Sequence, residues 1–193
     1  MKKIYHYLLL TVLALCLSIP ALGAEAASVA LLPLICNVEG DTVASQVYFK
    51  NALNSINAQK GFVLVDNDQL TAVVEAEKIS KKVPDQATLA RIADKGKVDI
   101  VISMQLDKLE DTALRSSEGD RLQLNLQGYA VAYNKLTGKF YKHRIYSDKI
   151  IPEAFSSRWD WTHEEWGFAV KAEVKRILDV KKITLDAPRM SKL

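Results

Sequence analysis

Val98-Asp-Ile-Val-Ile102 opens a run that is nearly all apolar, and Met104, Leu106 and Leu109 carry it onward. A strand buried on both faces reads this way. Residues 111–120 are polar and read as a loop. Leu122, Leu124 and Leu126 then alternate with Gln123, Asn125 and Gln127, which gives a strand with one wet face that continues to Tyr133. Asn134-Lys-Leu-Thr-Gly138 is a hairpin turn, and Phe140 to Tyr146 is the returning strand. Short loops make these last strands antiparallel.

Upstream, Val29-Ala-Leu-Leu-Pro-Leu-Ile-Cys36 reads as another buried strand, with Pro33 marking an edge or an exposed end. A helix follows Asp41, with Val43, Val47, Ala52, Leu53 and Ile56 at helical spacing and Gly61 as its stop. Phe62-Val-Leu-Val-Asp66 is a short strand. Asp66 and Gln69 offer a capping box to a helix whose stripe is Leu70, Val73, Val74 and Ile79. Pro84-Asp85 starts a third helix, with Leu89, Ile92 and Ala93 inward and Gly96 at its end. Residues 148–161 read as an irregular connection. Thr162 and Glu165 then form a capping box, with Trp161 and Trp166 as its hydrophobic staple, and the last helix runs to Asp179.

The expected order is β-α-β-α-α-β-β-β-α. Strands joined by helices run parallel through right-handed crossovers. The outcome is an α/β sandwich on one mixed sheet, strand order 2-1-3-4-5. Residues 25–179 form a single domain, and residues 180–193 are a mobile tail.

Lys2 and Lys3, the apolar run Leu8 to Ile19, Pro20 and the small residues after it read residues 1–24 as a secretory signal peptide, cleaved within residues 23–26. The apolar run falls short of the roughly 20 residues of a membrane span. The bulky Leu15 before Cys16 argues against lipidation. Without residues 1–24 the chain loses two bases and no acid, leaving a charge near balance and Cys36 alone. Such a balance lacks the clustered basic surface of a nucleic-acid binder, and one Cys leaves no internal disulfide. The chain is therefore expected to be exported, with no transmembrane segment after cleavage; a place in the periplasm or at the cell surface of a bacterium is what the family resemblance described next implies.

A resemblance lies in Val29–Pro33, in Gly61–Asp66, in Asp68-Gln69-Leu70 running to Glu75–Ile79, in Ala90–Gly96, in Val98–Ser103 and in the Thr137-Gly138-Lys139 hairpin. Together these resemble the N-terminal domain of the TolB family and the curli-secretion lipoprotein (CsgG-like) family. The connections at 111–120 and 148–161 are too short for the pair of membrane strands that curli-channel proteins insert. The resemblance thus implies a soluble envelope domain without the pore, one that binds protein partners or itself in an assembly, secretion or export machine. It carries over no catalytic residue and no cofactor.

No residue pattern argues for catalysis. His163 among Asp160, Glu164 and Glu165 matches no standard zinc spacing, so no metal site is expected. His143 reads as a solvated strand position and Cys36 as a small core residue. Glycine-rich phosphate loops and a G-x-S-x-G motif are absent from the sequence. Two partner-binding surfaces stand out. One is aromatic: Phe155 and Trp159, just before the Trp161 and Trp166 helix, anchor a partner. The alternative reading makes the 155–166 region a small-ligand or glycan-binding module. The other surface is the Gln123, Asn125, Gln127 face with Tyr129 and Tyr133, exposed if no helix covers it.

Overall fold

A computed structural model describes residues 26–66, 70–79, 81–115, 119, 121–152 and 160–179. They form β1 (Ala27–Leu31), β2 (Ile35–Cys36), α1 (Ala44–Asn57), β3 (Phe62–Leu64), α2 (Thr71–Ala76) and α3 (Gln86–Lys95). Three long strands and a helix complete them: β4 (Ile100–Leu114), β5 (Arg121–Asn134), β6 (Lys139–Pro152) and α4 (Trp161–Leu178). One mixed sheet holds the strands in the order β3-β1-β4-β5-β6, with β2 also on β4. This is the order expected from the helix-joined and hairpin-joined strands. β1 runs parallel to β3 and β4, while β4, β5 and β6 form an antiparallel meander. The leader at 1–24, the tail at 180–193 and residues 67–69 of the Asp66 capping box lie outside the described residues.

Alternation along β1 sends side chains to two cores. Val29 and Leu31 join Tyr48, Ile102, Met104, Trp166 and Val170 beneath α1 and α4. Ala30 and Leu32 join Leu70, Leu89, Ile92, Val101 and Val131 beneath α2 and α3. Trp166 is fully buried, stacks 6.5 Å from the Tyr48 ring and donates its indole N–H to the Ala44 carbonyl at 3.1 Å. Truncating so large a buried side chain costs about 3–5 kcal/mol. On the second face, Asp85 caps α3 by accepting from the Thr88 N–H at 2.8 Å, and Leu89, Ile92 and Ala93 are its buried stripe, all as expected. Glu77, just past α2, pairs with Arg91 (2.7 Å) and Lys95 (3.0 Å) of α3. The Arg91 and Lys95 hydrogen bonds hold the Glu77 carboxyl down at about 2.

Five expectations need correction. The Val29–Cys36 run is two strands. Leu31 faces Ile102 and Ile35 faces Gln105, so one extra residue bulges out around exposed Pro33, which has no N–H to pair. The Leu32 carbonyl at this break accepts the Tyr48 hydroxyl at 3.0 Å, and burial pushes the Tyr48 phenol far up. Residues 111–114 are strand, with Leu114 opposite Arg121. Residues 110–113 are exposed, so no apolar alternation marked them. β6 likewise runs past Tyr146 to Pro152, because β5 supplies a partner along its whole length. Finally, α4 is capped by Asp160, which accepts from the His163 N–H, and Trp161 is already helical. Within α1 the buried face is Ala44, Tyr48, Ala52 and Ile56, while Val43 is exposed.

Gly128 explains a second irregularity. β4 shifts register between Leu106 and Lys108, opposite Gly128. A Cβ on Gly128 would overlap the Gln105 carbonyl oxygen. Only glycine permits this approach, and the bulge increases the local twist.

Candidate protein-binding face

β4, β5 and β6 outrun the helices. On the α2 and α3 side, the first cross-strand row is Val101, Tyr133 and Phe140, and it is packed into the second core. Tyr133 therefore belongs to the covered end. Next come Ser103, Val131 and Lys142, then Gln105, Tyr129 and Arg144. Gln105 is buried, and its side-chain carbonyl accepts the Val83 N–H at 2.8 Å, closing the edge of the helical layer.

Three further rows follow: Lys108-Gln127-Tyr146, Glu110-Asn125-Asp148 and Thr112-Gln123-Ile150. Among the described residues, no helix packs over them. The surface is polar with apolar islands. Gln123 donates to Asp148 at 2.8 Å, Gln127 donates to Asn125 at 3.2 Å, and Lys108 pairs with Glu110 at 3.0 Å. Tyr146 and Ile150, two rows apart on this one face, are 57% and 56% exposed. Lys142 sits 6.0 Å from the Tyr129 ring centre and Arg144 5.9 Å from that of Tyr146. Cations at this range are attracted by the ring faces.

The opposite face of the same meander is closed by α4 and carries buried charge. Glu165 accepts from Ser147 (2.7 Å) and Lys149 (2.6 Å). It therefore ties the helix to β6 and does not cap α4. Glu173, also buried, accepts from the Tyr141 hydroxyl (2.5 Å) and Arg176 (2.8 Å), and His143 lies 3.1 Å away. Burial first, then the Glu173 contact, pushes the Tyr141 phenol far up. His143 is thus half-exposed but partnered. Buried carboxylates left without such partners would be strongly destabilising.

At the start of α4, His163 lies between two acids. Its Nε2 is 2.9 Å from Asp41 Oδ2, and its Nδ1 meets the Asp160 carboxylate. Asp41 also accepts from the Val43 and Ala44 N–H groups at 2.8 Å. Among the described residues, no group of three or more His, Cys, Asp or Glu side chains could hold a metal ion. Cys36 sits on β2, half-buried, with its thiol directed at the Val38 carbonyl. His143, His163 and Cys36 occupy different elements with different partners.

Of the residues singled out in the sequence, Tyr129 lies at the inner margin of the open face, and Tyr133 beneath the helices. Phe155 and Trp159 lie outside the described residues. Sequence reasoning missed Tyr146, Arg144 and Ile150, whose alternation with Ile145, Ser147 and Lys149 marks them as one face once the strand is extended to Pro152.

The architecture is that of a mixed α/β sandwich with a projecting meander. It is similar to the hypothetical protein CT253 from Chlamydia trachomatis, with a TM-score of 0.52 and 13% identity over 78% of this chain and 96% of that one. Lipoprotein GNA1162 from Neisseria meningitidis is similar at a TM-score of 0.44, with 10% identity over 79% of this chain and 99% of that one. The PelC dodecamer from Paraburkholderia phytofirmans stands at 0.43, with 13% identity over 81% of this chain and 89% of that one. No protein-family model matches the sequence, and no curated protein matches it. Among the described residues, no helix is long and apolar enough to cross a membrane.

Proposed function

We propose that this chain is an exported, non-enzymatic accessory domain of the bacterial cell envelope that binds protein partners in an assembly, secretion or export machine. The observation that carries the reading is the open face of the β4-β5-β6 meander, with Tyr146 and Ile150 exposed among polar and charged neighbours. Aromatic and apolar anchors ringed by polar groups are the composition of protein interfaces. Export follows from the leader-like residues 1–24. The TolB and curli-secretion resemblance supports placing the domain in an envelope machine, and the unlipidated state rests on Leu15 before Cys16.

Affinity capture from the envelope fraction of the native bacterium tests the reading. The full chain is expected to retain a discrete protein that Tyr146→Ser/Ile150→Ser fails to retain, with both proteins melting alike. Equal retention by the double variant, or none by either, would contradict it.

A further inference from the structure

β6 is an edge strand 14 residues long, and among the described residues only β5 pairs with it. Exposed edges invite strand addition, and proteins commonly blunt them with charge. Charge alone does not describe this edge. On the open face its side chains run Lys142, Arg144, Tyr146, Asp148, Ile150, so cations are followed by large exposed apolar groups.

The charges are unevenly compensated. Lys149, on the α4 side, is neutralised by buried Glu165, and His143 faces Glu173. Asp148 is engaged by Gln123. Lys142 and Arg144 rest against aromatic rings and have no carboxylate partner among the described residues. A second copy of this strand is a poor occupant. β6 bears four Lys or Arg against one acid, so self-pairing sets like charges side by side.

Resting on the partner-binding reading, we propose that the outer edge of β6 takes an extended acidic segment of a partner protein as an added strand. Main-chain hydrogen bonds to the edge supply affinity, and alternate side chains supply specificity. The added strand places carboxylates beside Lys142 and Arg144 and apolar side chains beside Tyr146 and Ile150.

The probe is a fluorescent peptide with two Glu and then two Val at alternate positions, so that both pairs share one face of the added strand, and Thr between them; it is titrated against the full chain by anisotropy and followed by amide exchange. Binding is expected to slow exchange across residues 142–150 and to weaken as salt rises. Lys142→Glu/Arg144→Glu is expected to raise the Kd about tenfold or more, and backbone N-methylation of the peptide to abolish binding. No binding, equal binding by the charge-reversed variant, equal binding of the methylated peptide, or unchanged exchange in β6 would overturn the proposal. So would capture by anionic phosphatidylglycerol vesicles with no uptake of peptide. Loss of peptide binding with Tyr146- and Ile150-dependent capture intact would refute strand addition alone, whereas loss of both would refute the partner reading itself.

Discussion

His163 reaches Asp41 across 122 residues of chain, its Nε2 2.9 Å from Oδ2, and so joins the start of α4 to the turn that opens α1. Its other nitrogen faces Asp160. A neutral imidazole donates through one nitrogen only, whereas the imidazolium donates through both. Burial pulls the His163 pKa down, but the hydrogen bonds and charges of Asp160 and Asp41 outweigh it and hold the group above its usual 6.5. For Asp41, burial raises the pKa, yet the Ala44 and Val43 N–H groups and His163 together bring it below 3.8.

The pH dependence follows. The raised His163 contributes stability in full below about pH 6.5 and loses it as pH climbs through the folded-state value. Asp41 contributes above its unfolded value of 3.8 and loses that as pH falls through its lowered one. In thermal melts from about pH 5 to about pH 9, stability is expected to fall on the alkaline side. In His163→Gln that alkaline loss is expected to vanish. An identical slope in the variant would show that the pair is not coupled to folding.

Tyr48→Phe strips the donor from the Leu32 carbonyl at the β1-β2 break. The hydroxyl is buried and nothing replaces it, so a loss of about 1–2 kcal/mol is expected in urea unfolding, with the m-value unchanged. A neutral result would mean that water satisfies the carbonyl.

Gly128→Ala drives a methyl group into the Gln105 carbonyl oxygen. Because the obstacle is backbone at a bulge, the cost is expected at about 2–3 kcal/mol, measured as a lowered denaturation midpoint. Gly138→Ala is its control, since nothing lies within 4 Å there and only its φ of +68° resists substitution.

Ser103 is buried in β4, and among the described residues its hydroxyl has no hydrogen-bond partner. Ser103→Ala removes an unsatisfied polar atom with little change of volume. Its expected effect is neutral or stabilising by up to about 1 kcal/mol. A clear destabilisation, read by differential scanning calorimetry, would reveal a partner for that hydroxyl.

Where a residue's environment is built by its neighbours in sequence, the chain was readable. Asp85 caps α3, and Leu89, Ile92 and Ala93 face its core, because cap and stripe lie within one short segment. Sheet order was readable from connection type, since helices force parallel crossovers and short loops force antiparallel ones. Residues 111–114 and 148–152 were not readable as strand. Both stretches gain their regularity from β5, which pairs with them, and not from a core beneath them. The same blindness hid the candidate site. Tyr146 and Ile150 become a surface only once the strand carrying them is extended. The capping box proposed at Thr162 and Glu165 failed for a related reason. Glu165 is committed to Ser147 and Lys149, which lie on another element.

Photo-crosslinking in the native cell tests partner binding most directly. A benzophenone side chain replaces Tyr146 on the open face, or Leu136 on the distant β5-β6 turn, where exposure is 66%. The expected result is one discrete protein adduct from position 146 and none from position 136. No adduct from 146, or the same adducts from both positions, would contradict a partner held on this face.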